Sequence, residues 1–221
     1  MTAAGTDDLT LRVDGSRPVS PADVEAVLRI CDRAEDGGHT GMLTVYVSGT
    51  PQPGWTVDLN VGLLTKWERA VRRLERLGLL TASVAAGDCG GTALDVLLAT
   101  DVRIAVAGTR LVVPVSGDAT WPGMALYRLA RQTGTARLRR ATLLGIPLST
   151  EEAMIAGLLD HIVDEPDEVS EQIAGLAAAI TGKELAIRRQ LMLDAAEHSF
   201  EEALGSHLAA CDRALRRAAT S

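Results

Sequence analysis

Aromatic side chains are almost missing from this chain: one Phe, two Tyr and three Trp make up 3% of it. A core assembled without them has to be aliphatic, so each Trp needs its own explanation. Lysine is scarcer still, confined to Lys66 and Lys183, and every other basic residue is Arg. The formal net charge of −7 leaves no basic excess to hold nucleic acid or an anionic membrane. Cysteine is limited to Cys31, Cys89 and Cys211, an odd, widely spaced set without a CxxC pair, as expected of free thiols in a reducing cytoplasm. His39, His161, His198 and His207 fall at no metal-ligand spacing, so no metal is expected. No apolar run approaches the length of a membrane span, and the opening MTAAGTDDLT is acidic and polar. A cytoplasmic protein without membrane contact is the expectation.

What the chain does contain is enough apolar material, 47% of 221 residues, to bury one large core. Its patterning alternates strand and helix. Residues 9–13 alternate as a short strand, and Ser20-Pro21-Ala22-Asp23 opens a helix with Ser20 as N-cap and Pro21 in the first helical position. A buried strand over 42–47, a loop with Pro51, Pro53 and Gly54, and a long amphipathic helix to Leu77 follow. Strands are expected over 81–86, 102–107 and 110–115, then an irregular loop over 118–123. Helices are expected over 124–133 and 135–144, each closed by glycine, and from the capping box Ser149-Thr150-Glu151-Glu152 to Gly157. After a strand over 158–163, three helices are expected over 168–180, 184–196 and 201–217, the last two capped by Thr181 with Glu184 and by Ser199 with Glu202. With no repeat or linker, the chain reads as one α/β domain over 1–221, a core over 1–165 and a helical C-terminal section over 166–221.

One stretch, VAAGDCGGTALDVLLATDVRIA from Val84 to Ala105, breaks a strand at Gly87, Gly90 and Gly91 and opens a helix at Thr92. Such a break leaves backbone N–H groups unpaired near the positive end of a helix dipole, a place to hold an anion or a developing oxyanion. A nucleotide-binding reading of these glycines fails because there is no true GxGxxG and no acid closes a second strand at the required spacing.

The run GDCGGTALDVLLATDVRIAVAGTRLVVP, followed by WPGMALYRLARQTG and GIPLSTEEAMIAGLLDHIV, resembles the enoyl-CoA hydratase/isomerase, or crotonase, superfamily over residues 81–163. Within it, WERAVRRLERL, GDCGG and TWPGMALYRLA are most similar to the small crotonase-like proteins that accompany a type III polyketide synthase making 3,5-dihydroxyphenylacetyl-CoA in glycopeptide-antibiotic pathways. The resemblance implies a crotonase-like ββα superhelix, assembly into a trimer or dimer of trimers through the C-terminal helices, and an acyl-CoA thioester whose carbonyl lies between two backbone N–H donors. No separate cofactor is implied, because coenzyme A arrives as part of the substrate.

Matched residue by residue, those donors are Val57, in Thr56-Val57-Asp58-Leu59, and Thr92, where the family has glycine. Gly91, Trp121 and Gly123 fall in the substrate-binding stretches, Trp121 either walling the acyl pocket or filling the core. Six residues before Asp101, Asp95 stands where the family has its first catalytic Glu, while fourteen residues after it Val115 stands where the second belongs. Asp118 is the nearest acid that could replace the second. Asp95 has an alternative role, since Thr92-Ala93-Leu94-Asp95 also fits a capping box. Asp101 is expected to order a turn, Cys89 to be a small buried residue, and the Arg-rich run over 137–140 to be a solvated helix face.

The implied function is a hydratase or dehydratase that acts on a polyketide-derived acyl-CoA and assists the synthase, with Asp95 as its general acid/base. The alternative is a non-catalytic protein of the same fold that stimulates the synthase by binding it or its product. The missing second carboxylate favours the alternative.

Overall fold

Short strands rich in Val, Leu and Ala alternate with amphipathic helices, and in the computed structural model, which describes residues 9–36, 41–165, 168 and 183–219, this alternation becomes a parallel sheet flanked by helices. In chain order the elements begin with β1 (Leu9–Asp14), α1 (Pro21–Asp36), β2 (Met42–Gly49), α2 (Val61–Glu75), β3 (Leu80–Cys89), α3 (Thr92–Leu97) and β4 (Val102–Val106). Next come β5 (Arg110–Leu111), β6 (Val115–Ser116), β7 (Ala119–Thr120), α4 (Met124–Thr133), α5 (Thr135–Leu144) and β8 (Leu148–Ser149). The chain closes with α6 (Thr150–Ile155), β9 (His161–Val163), α7 (Lys183–Ala195) and α8 (Phe200–Ala218).

The sheet runs β1-β2-β3-β4-β9, all parallel, with β5 pairing β3 and β8 antiparallel to β5. β3 carries the apolar run expected of a strand covered on both faces, with Thr81 to Ala85 all buried. Against it the register sets Leu43 beside Thr81 and Val47 beside Ala85, then shifts between Ser48 and Gly49 so that Gly49 meets Cys89. At this carboxyl end of the sheet the backbones come unusually close. A Cβ on Gly15 would lie 2.3 Å from the Gly90 carbonyl oxygen, and one on Gly90 would lie 2.3 Å from Thr50 Oγ1. Only glycine fits there, and the tight approach brings the loops that follow β1, β2 and β3 together.

Helix α2 buries Trp67, Ala70, Val71 and Leu74 against the core, and Asn60 caps it by accepting from the Leu63 amide. Ser20 caps α1 reciprocally: its amide donates to Asp23 and its hydroxyl accepts from the Asp23 amide. The capping boxes at Ser149 and Ser199 both form. Helix α7 is tied to the sheet by one buried side chain. Arg189 donates to both Asp101 oxygens at 2.6 and 2.5 Å and to the carbonyls of Leu77 and Leu79. Asp101 also accepts from the Thr81 amide and hydroxyl, so it orders the turn into β4 as expected.

Several boundaries differ from the sequence expectation. β3 continues through Gly87, which takes φ +67° inside the strand, and the break comes at Gly90. The strand expected over 110–115 is interrupted, because Pro114 has no N–H for a ladder, and its far end pairs instead with Ala119–Thr120 in the small β6-β7 sheet. The strand expected over 158–163 contracts to β9. Beyond Glu168, the helix expected over 168–180 lies outside the described residues, as does the Thr181 cap. Among the described residues, no helix is long and apolar enough to cross a membrane.

Candidate active site

Between α2, the start of α3, the β6-β7 region and the start of α4 lies a cavity of about 620 Å³. One wall is the face of α2 that presents Val61, Leu64, Thr65, Glu68, Arg72 and Glu75 at helical spacing. The opposite wall is aromatic. Trp55 and Trp121 meet edge to face with centroids 5.0 Å apart, and Trp55 Nε1 donates to the Val115 carbonyl at 3.1 Å. Gly123 lets Trp121 fold over the chain, since a Cβ there would lie 2.8 Å from the indole Cδ1 and Nε1. Trp121 therefore lines the pocket, and the alternative of a core position is not what the structure shows.

The glycine turn forms the floor. Gly91 adopts φ +53° and ψ −129°, a conformation reserved for glycine, and is the N-cap of α3. Among the described residues, neither the Gly91 nor the Thr92 amide donates to a protein acceptor. Both residues line the cavity. The capping-box alternative for Asp95 does not form: Thr92 is already the first helical residue, no side chain caps α3, and the Asp95 amide donates to the Gly91 carbonyl.

The Asp95 side chain instead reaches α2, accepting from Trp67 Nε1 at 2.9 Å. It keeps some accessible surface on the cavity wall. Burial, reinforced by the Glu68 charge, pushes its carboxyl up from 3.8 to about 7 against the pull of Trp67 and Arg128. A carboxyl poised near neutrality beside a pocket can both give and take a proton.

Three charged residues at this wall, Glu68, Glu75 and Arg128, carried no signal that the sequence reading used. Glu68 Oε2 and Arg128 Nη1 stand 3.0 Å apart, joining α2 to α4, with the Arg128 side chain only 6% exposed. Burial leaves the Glu68 carboxyl above its ordinary value, a shift that the Arg128 charge only partly offsets. Glu75, 8% exposed, pairs with Arg72. The available hint was an Arg on the apolar face of MALYRLARQT, a position an unpaired charge does not occupy.

Two expected residues are not brought to the cavity. Val57 is 82% exposed outside its lining, and its amide already donates to the Gly54 carbonyl within a turn. Asp118 lies exposed in the β6-β7 turn, also outside the lining. Val115, at the register of the second acid, turns its side chain toward Gly145, where a Cβ would meet Val115 Cγ2 at 2.9 Å. Cys89 is fully buried and its thiol is pushed up to about 12 by burial, so it is no nucleophile. Arg137, Arg139 and Arg140 are exposed, as expected of a solvated face. Among the described residues, no group of His, Cys, Asp and Glu is arranged to hold a metal.

A sequence model of the family described as enoyl-CoA hydratase/isomerase matches residues 62–219. A relative from Amycolatopsis orientalis, named Enoyl-CoA-hydratase, is 55% identical over 214 residues, 97% of this chain and 99% of that one. Among solved structures, an enoyl-CoA hydratase/isomerase from Marinobacter aquaeolei aligns with a TM-score of 0.77 at 12% identity, over 94% of this chain and 88% of that one. An enoyl-CoA hydratase from Bacillus anthracis aligns with a TM-score of 0.72 at 17% identity, over 90% of this chain and 82% of that one. At these identities the two structures bear on the fold alone, and the fold is the same.

Proposed function

Because the chain belongs to the enoyl-CoA hydratase/isomerase family, we propose that it binds an acyl-CoA thioester in the cavity and adds or removes water across the α,β-bond, with Asp95 exchanging the proton. The observation that carries this reading is the placement of a cavity-lining carboxyl, held by Trp67 and pushed up by burial, one helical turn after two amides that lack acceptors. Those amides, of Gly91 and Thr92, receive the thioester oxygen as it gains charge on the way to an enolate. Preorganised donors of this kind are worth about 3–4 kcal/mol each on the barrier. Val57 becomes a donor only if its turn hydrogen bond to Gly54 opens, so in this reading it is secondary. No cofactor beyond the coenzyme A of the substrate is required.

The finer reading assigns the acyl group to a polyketide-derived thioester and the protein to the cytoplasm, beside a type III polyketide synthase that forms 3,5-dihydroxyphenylacetyl-CoA. Its support is the resemblance of the WERAVRRLERL, GDCGG and TWPGMALYRLA segments, together with a pocket wall of Trp55, Trp121 and Tyr127 suited to a planar acyl group. A trimer or dimer of trimers built on the C-terminal helices is supported by the apolar residues that α8 exposes, Phe200, Leu204, Leu208 and Leu215. The competing reading, a non-catalytic partner of the synthase, draws on the absence of an acid at Val115.

Titration of the protein into purified synthase with malonyl-CoA, with products followed by mass spectrometry, separates the two. Under the enzymatic reading wild type changes the product distribution and Asp95→Ala does not. Stimulation that survives in Asp95→Ala assigns the non-catalytic role. No effect from either protein rules out the pathway.

A further inference from the structure

The cavity contains a second carboxylate, supplied from an unexpected element. Glu68 lies midway along the α2 face that walls the pocket, next in sequence to Trp67, whose indole N–H holds Asp95. Glu68 Oε2 and Arg128 Nη1 are the buried side-chain polar atoms that lack a hydrogen-bond partner among the described residues. Their contact at 3.0 Å balances charge without an aligned hydrogen bond. The pair is itself buried, but the Glu68 side chain as a whole stays 25% exposed and lines the same cavity as Asp95, so Arg128 anchors a carboxylate at the cavity wall. On the same wall Glu75 pairs with Arg72 and Arg17 with Asp14.

Resting on the thioester reading above, we propose that Glu68 is the second proton-transfer group of the reaction, the general base at the α-carbon, with Asp95 as the general acid at the β-carbon. In the dehydrating direction Glu68 removes the α-proton and the electron pair moves into the thioester, its oxygen held by the Gly91 and Thr92 amides. The pair then returns to form the α,β double bond as the β-carbon–oxygen bond breaks. Asp95 gives its proton to the departing hydroxyl, which leaves as water. Glu68 is left protonated and Asp95 ionised, and one proton passing from Glu68 to Asp95 restores both. Hydration is the same sequence in reverse. Arg128 is a positioning residue that holds Glu68 at 3.0 Å and favours its ionised form against the cost of burial. Thus the second acid, missing at Val115 on the downstream strand, is supplied by helix α2.

The test is α-proton exchange of butyryl-CoA and phenylacetyl-CoA in deuterium oxide, read by mass spectrometry, with binding read separately by tryptophan quenching. Glu68→Gln keeps the shape and removes the base, so exchange should fall by about 100-fold or more while the Kd holds. Glu68→Asp, which keeps the charge beside Arg128, should recover part of the rate. Asp95→Asn should keep exchange yet lose hydration of crotonyl-CoA, and Asp118→Asn should leave everything unchanged. Wild-type exchange that persists in Glu68→Gln overturns this proposal alone. A loss of exchange explained by an equal loss of binding overturns it as well, since Glu68 would then be only structural. Wild type that neither binds nor exchanges either thioester overturns the thioester reading and this proposal together.

Discussion

Replacing Asp95 by Asn tests the proton-holding role of this carboxyl without any substrate. In the folded protein burial and the Glu68 charge raise the Asp95 pKa from 3.8 to about 7. The ionised form is therefore the one that folding penalises, and the native state binds the extra proton. Stability from this group is full below the unfolded value and is lost as pH rises through the folded value. The whole gap is worth about 4 kcal/mol at 1.36 kcal/mol per pKa unit, of which about 2–3 kcal/mol falls between pH 5 and pH 8. Asn retains an oxygen to accept from Trp67 Nε1 and has no charge to bury, so its stability carries no such slope. Urea unfolding of wild type and Asp95→Asn at a series of pH values should show the variant gaining on wild type by about 2–3 kcal/mol from pH 5 to pH 8. In thermal melts this is about 5–10 °C in Tm for a chain of this size. A difference that stays flat across the range would refute the reasoning, because it would mean that Asp95 is ionised throughout and cannot act as an acid near neutrality.

Arg189→Ala should destabilise the fold by about 3–5 kcal/mol, because it leaves Asp101 without its buried cation and two carbonyls without a donor; Arg189→Lys should not rescue it, since an ammonium cannot form the forked contact, and denaturant midpoints check both. Gly123→Ala should disturb the pocket more than the fold: φ is −74°, so the backbone tolerates a side chain, but the new Cβ collides with the Trp121 indole. Weaker thioester binding and altered tryptophan emission at nearly unchanged Tm are expected. Under native conditions an alkylating reagent at pH 8 should label Cys211, which is exposed, and spare Cys31 and Cys89, whose thiols burial pushes up to about 12; peptide mapping reads the sites.

Local features were legible wherever a short-range rule governs them. The helix starting at Pro21, the strand at Met42, the capping boxes at Ser149 and Ser199 and the glycine-closed pair α4 and α5 follow from capping, periodicity and breakers within a few residues. The same rules misjudged residues 110–123. There Pro114 ended one ladder and a two-residue hairpin began, an outcome set by which strand edge stood opposite. Asp95 was found by its spacing from Asp101, but its choice between capping and chemistry needed the position of Trp67 across the core.

By itself the sequence determined the family, the alternating α/β plan, the glycine turn and Asp95 as the acid that follows it. Each depends on order and spacing along the chain, which a linear reading preserves. Only the tertiary structure decided which groups share a wall with Asp95. It turned Val115 toward Gly145, left Val57 and Asp118 in solvent, and set Glu68 and Arg128 together between α2 and α4. Those pairings depend on where two helices far apart in sequence, α2 and α4, come to lie, and that placement comes from packing, which no local pattern along either helix records.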